Sequence, residues 1–207
     1  MGTAAGIPET QQTREREMED LYWRDPYSWA MQQAEALRGR DFAAVDWKNV
    51  IEEIEDVGGR HADRLRSQYA RAIEHLLKLQ YRETKETEPV AGWTHSVNQA
   101  RTEIEDILQR NPGLKRQRDA LFHDAWGRAS KDAVNAFVHQ STENITNASL
   151  LFREQKRLTR EWRRTLPQEN PYTRQQVEDS DWMPKRLRLS HRPQSRQQSD
   201  PRPDWSR

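Results

Sequence analysis

The sequence predicts an all-α protein, a small antiparallel helical bundle with one long C-terminal helical segment and disordered tails. Three observations predict it. Apolar residues recur every three or four positions through most of the chain, no run of useful length alternates with the period of a strand, and only 33% of the 207 residues are hydrophobic against 32% charged. Composition that poor, with a mean hydropathy of -1.18, supports a thin helical assembly with wet faces rather than a large core.

Residues 1–19 are polar and featureless and are expected to form a disordered N-terminal tail. The segment "DPYSWAMQQAEALRG" predicts the first long helix, with Asp25 as N-cap, Pro26 at the first helical position and Gly39 closing it. In "DWKNVIEEIEDVGGR", Trp47, Val50, Ile51, Ile54 and Val57 fall on one arc of a helix that Gly58 and Gly59 are expected to stop. On the same wheel Glu52 and Asp56 point away from the arc, while Glu53 and Glu55 sit on its opposite shoulders. The four acids do not converge, so the run reads as a solvated face and not as a metal site.

Three further amphipathic helices follow. The first carries Leu65, Tyr69, Ala72, Leu76 and Leu79, and the next Val97, Ala100, Ile104 and Ile107. In the third, Asn111 as cap and Pro112 lead into Leu114, Leu121, Ala125 and Ala129. From Lys131 to Leu166 neither Pro nor Gly interrupts the chain, which predicts one long helix or two stacked ones. A short helix is expected around Arg174–Asp179. Residues 185–207 read as a basic disordered tail with charge +5, against −4 for the rest of the chain.

The ordered segments "DLYWRDPYSWAMQQAEALRG", "VDWKNVIEEIEDVG", "HLLKLQY", "WTHSVNQARTEIEDIL", "NPGL" with "AW" twelve positions on, and "LPQENPYTRQQVED" together resemble the bacterial domain-of-unknown-function family twenty-nine. The resemblance covers about residues 20–184 and implies an almost wholly helical domain; it implies no activity. Ala100, Ser130 and Asn170 depart from the family pattern, which tends to have Gln, Arg and Cys there. A helical insertion around 134–160 makes this chain longer than the pattern.

Little in the chain looks like chemistry. Cysteine is absent, which excludes thiolate nucleophiles and cysteine-ligated zinc. Nucleotide-binding, metalloprotease, serine-hydrolase and di-iron bundle motifs are missing. No cofactor and no metal are therefore expected, and the chain leans away from being an enzyme. The weak catalytic candidates are His75 paired with Glu53 or Glu55, since an imidazole–carboxylate pair is the minimum apparatus for proton transfer; the same pair is more often a structural hydrogen bond.

One surface rises above that background. In "LFREQKRLTREWRRTLP", Leu151, Leu158, Trp162 and Leu166 share one stripe, and Arg153, Lys156, Arg157, Arg160, Arg163 and Arg164 occupy the opposite arc. With the basic tail, this is a candidate contact for nucleic-acid phosphates or another anion. The favoured reading is nonetheless a cytoplasmic interaction module that docks a protein partner or itself. No stretch is long and apolar enough for a membrane span, so no membrane partner is expected.

Overall fold

A computed structural model describes residues 20–81, 90–189 and 193–195, and these divide into two compact units, one ending at Arg60 and the other beginning at His61. Every regular element among the described residues is helical. The long helix that carries both units' sequence, α3, runs Trp47–Tyr81.

In the first unit, a helical turn α1 (20–24) leads into α2 (Pro26–Gly39). Asp25 caps α2 as expected: its Oδ1 accepts the Ser28 N–H at 3.1 Å, and Pro26 follows at a position where a missing N–H costs nothing. The Ser28 hydroxyl and amide hold the Asp25 carboxyl below its ordinary pKa. The other end differs from expectation. Gly39 is still helical, and Arg40 takes the left-handed turn at φ 56°, donating its N–H back to Leu37 and Ala36.

After a 3₁₀ turn at Phe42–Ala44, Asp46 starts α3 and ties it to α2. Its Oδ2 accepts from the Trp29 indole at 3.2 Å and from Asn49 Nδ2 at 2.7 Å, and its backbone N–H donates to Gln33 Oε1 at 2.8 Å. Gln33 and Asn49 are buried by this network, together with the small apolar cluster of Trp29, Val45 and Val50.

Gly58 and Gly59 do not stop α3, which continues for 35 residues. Each glycine costs a helix only about 1 kcal/mol relative to alanine. Both keep negative φ, no proline follows, and a strong apolar stripe resumes at Leu65, so propagation outweighs the local penalty.

In the second unit, α3 beyond His61 packs with α4 (Val90–Arg110), α5 (Arg118–Thr142), α6 (Ala148–Thr165) and the short α7 (Arg174–Glu178). The expected stripes become the core: Leu65, Tyr69, Ala72 and Leu76 meet Val97, Ala100 and Ile104, with Ala125, Ala129, Leu158 and Trp162. The small alanines of α5 admit close approach, and Phe137 stacks on Trp162 with ring centroids 4.3 Å apart. Asn111 does not cap with its side chain; Pro112–Arg116 form a 3₁₀ turn and α5 starts after it.

The uninterrupted stretch from Lys131 to Leu166 is two helices, not one. Residues 143–147 break it, and Asn147 restarts α6 by accepting the Leu150 N–H at 2.9 Å. α7 falls where expected, opened by a capping box between Thr173 and Gln176.

Packed chain runs past 184. The Leu187 N–H donates to the Gln80 carbonyl at 2.7 Å, Leu189 lies against the core, and the Gln194 carbonyl accepts from Arg157 at 2.6 Å. The expected N-terminal tail at 1–19 and the basic tail from 196 lie outside the described residues. No helix among the described residues is long and apolar enough to cross a membrane.

Candidate docking site

Most of the arc of Trp47, Val50, Ile51, Ile54 and Val57 does not pack within the chain. Val50 alone is buried; Trp47, Ile51 and Val57 are about half exposed and Ile54 is 66% exposed. The reason is that Asn49, Val50 and Glu53 turn toward α1 and α2, where Tyr22 donates its hydroxyl to Glu53 Oε1 at 2.9 Å. The greasiest edge of the helix is left outside that contact.

The rest of the unit repeats the pattern. Trp29, Gln33 and Ala36 face inward from α2, while Trp23 on α1 and Tyr27 and Met31 on α2, spaced i, i+4, i+8, are exposed. Phe42 is also exposed and accepts the Trp47 indole N–H on its carbonyl at 3.2 Å. Of the eleven large hydrophobic side chains exposed among the described residues, nine lie between Trp23 and Val57. Exposed apolar groups are normal when scattered; here they concentrate in the first unit.

Of the weak catalytic candidates, Glu53 belongs to the first unit, where Tyr22 donates to it, and His75 to the second. Glu55, Glu52 and Asp56 are exposed. His75 is half-buried in the second unit with its Nδ1 lacking a hydrogen-bond partner, and burial, reinforced by Lys78, lowers its pKa to about 4. At neutral pH it is an uncharged imidazole. Among the described residues no group of three His, Asp or Glu is placed to hold a metal ion.

A cleft of about 650 Å³ opens among α4, the 3₁₀ turn at Pro112–Arg116 and the chain around α7, lined by Asn98, Arg101, Glu105, Lys115, Glu178 and Ser180. Its most distinctive residue, Arg101, is already used. The guanidinium donates to the carbonyls of Val177 and Trp182 at 2.8 and 2.7 Å and of Gln176 and Ser180 at 3.3 Å each. Beside it, Tyr69 donates to Glu178, which also receives Arg174. Burial and that carboxylate push the Tyr69 hydroxyl well above its ordinary pKa. These groups fasten the chain after Leu166 onto α4 and α3.

On α6 the basic arc loses one member. Arg157 turns back to Glu154 at 2.7 Å and Glu161 at 2.6 Å and holds the Gln194 carbonyl, contacts that raise its pKa. Arg153, Lys156, Arg160, Arg163 and Arg164 remain exposed, with no carboxylate partner among the described residues.

Among the described residues the protein is all-helical, with exposed apolar side chains concentrated in its first unit and exposed cations along α6. The profile of the domain of unknown function DUF29 matches residues 21–183, and the chain belongs to that family. No curated protein and no solved structure matches it.

Proposed function

We propose that this chain is a protein-interaction module and that the first unit supplies its docking surface. The observation that carries this reading is the crowding of exposed apolar side chains between Trp23 and Val57, in a chain with few apolar residues to spare. Four helical elements hold them, so the surface is preformed and little ordering entropy opposes binding. Exposed Glu55, on the shoulder of the arc, gives the face a polar edge, as at the rim of an interface.

A photo-crosslinking amino acid at Ile54 tests it in cells making the chain at native abundance. Covalent adducts with another polypeptide at Ile54, and none from the same probe at Glu52 on the far side of the helix, support the proposal. An Ile54 probe that reacts only with water refutes it.

A second reading is favoured by the five exposed cations of α6, which form a line along one helix side. In it the chain also contacts nucleic-acid phosphates. Five phosphate contacts give a slope of log affinity against log salt of about −4 to −5. Duplex DNA that fails to bind at low salt, or whose binding ignores salt, eliminates this reading.

A further inference from the structure

We infer that the exposed face of α6 binds single-stranded nucleic acid, with its cations on the phosphates and an unpaired base stacked on the Phe152 ring. This rests on the phosphate reading of that face above and names the kind of strand it takes. From Phe152 to Arg164 every exposed side chain is either Phe152 itself or a cation: Arg153, Lys156, Arg160, Arg163 and Arg164. On an α-helix these six fall within an arc of about 120°. Each turn of the helix carries at least one of the cations, over about 16 Å of axis from Arg153 to Arg164.

The two acids of the helix do not offset that charge. Glu154 and Glu161 both receive Arg157, at 2.7 and 2.6 Å, and Glu154 is buried. None of the five exposed cations has a carboxylate partner among the described residues. Like charges in a row repel one another, and an anionic polymer that spans the row relieves the repulsion at several points while giving up its own condensed counterions. Charge complementarity therefore selects a polyanion.

Phe152 decides among polyanions. Its ring is 68% exposed, and apart from Leu187 it is the one exposed large hydrophobic side chain among the described residues outside the stretch from Trp23 to Val57. It stands beside Arg153 and one turn before Lys156, inside the charged field. A phenyl ring contributes nothing to a phosphate contact, and a duplex shows its grooves only the edges of its bases. An unpaired base offers its whole face, and stacking on an aromatic ring tolerates any sequence. A lipid surface fits less well, because a helix that lies on a membrane puts its apolar side there, and the apolar side of α6, with Leu158 and Trp162, is inside the core. That packing fixes the helix, so ring and cations are presented on a rigid element.

The test is fluorescence anisotropy of the full chain with three labelled probes over a range of salt: oligothymidylate about 20 nucleotides long, an abasic strand of the same length that keeps the phosphates and lacks the bases, and a mixed-sequence duplex. Phe152 and the cations are exposed, so their substitution leaves the fold intact, which circular dichroism confirms. The wild-type chain is expected to bind oligothymidylate about tenfold more tightly than the abasic strand, and Phe152→Ala to remove that advantage while changing abasic and duplex binding by less than about twofold. Phe152→Trp restores it. Arg160→Ala is expected to weaken all three probes and to lower the salt slope by about one.

Oligothymidylate bound no better than the abasic strand, or bound equally by wild type and Phe152→Ala, overturns the inference. If duplex binding still weakens with salt in that case, the phosphate reading stands and the stacked base alone is excluded; if no probe binds at low salt, both fall. Polyglutamate that competes as strongly as oligothymidylate, with the same loss on Phe152→Ala, assigns the face to an acidic protein and overturns the inference as well.

Discussion

Arg101 is buried to 7% exposure, yet its charge is balanced by no direct carboxylate contact; its guanidinium faces carbonyl dipoles. Burial disfavours its charged form, with Asp179 and Asp181 opposing that effect from nearby. Arg101→Met keeps the aliphatic stem and removes the donors. Replacing a buried ion by an apolar side chain is near neutral when its partners go too, but here four carbonyls would remain without their donor. Two of the bonds are short, and a hydrogen bond to a charged group contributes about 1.5–3 kcal/mol, so those two contribute about 3–6 kcal/mol. Subtracting the cost of burying the guanidinium leaves an expected loss of about 3 kcal/mol, or roughly 6–12 °C in Tm for a domain of this size. The assay is urea denaturation with amide exchange followed by segment. Exchange should rise across 174–182 and stay unchanged in α6, and Arg101→Lys, whose single ammonium cannot span the same acceptors, should recover less than half of the loss. An Arg101→Met chain within about 1 kcal/mol of wild type, or uniform loosening of every helix, would refute the reasoning.

His75 gives a pH dependence of definite sign. Its folded pKa of about 4 lies below the ordinary 6.5, so its contribution to stability is complete above pH 6.5 and is lost as pH falls toward 4. Solvent still reaches the ring, which discounts the contribution to about 1–2 kcal/mol; urea midpoints at pH 7 and pH 4.5 should converge for His75→Gln relative to wild type, and parallel curves would contradict the assignment. Arg40→Gly relieves a left-handed backbone position and should raise stability by about 1 kcal/mol, read as a higher denaturation midpoint at unchanged slope. Tyr69→Phe removes the hydroxyl that reaches Glu178 from a fully buried ring and should cost about 1–2 kcal/mol; a neutral substitution would mean that the bond contributes nothing net.

The second unit was legible because its helices bury one side, and burial writes itself into the spacing of Leu, Ile, Val and Ala. The same signal misleads in the first unit. Period shows which side of a helix is apolar and not whether anything covers it, so Ile51 and Ile54 read like Leu65 and Tyr69 although the former are bare. Gly58 and Gly59 carry a local propensity to stop a helix, but a helix of 35 residues propagates through it. On α6, spacing allowed Glu161 to pair three residues on with Arg164, but it pairs four back with Arg157, which the wheel cannot distinguish. Arg101 leaves a trace in the sequence: it sits between Val97 and Ile104 on the apolar side of its wheel, where a cation has to find buried acceptors. The acceptors themselves, carbonyls of residues 176–182, carry no side-chain signature at all.

The distance along the chain between Arg101 and those carbonyls has a consequence during synthesis. Trp182, its last acceptor, is 81 residues downstream. At translation rates of about 5–20 residues per second, the guanidinium leaves the ribosome some 4–16 s before its cage exists. Until then α4 must keep that cation in water, and the nascent bundle closes on this side only when the final stretch arrives to accept it.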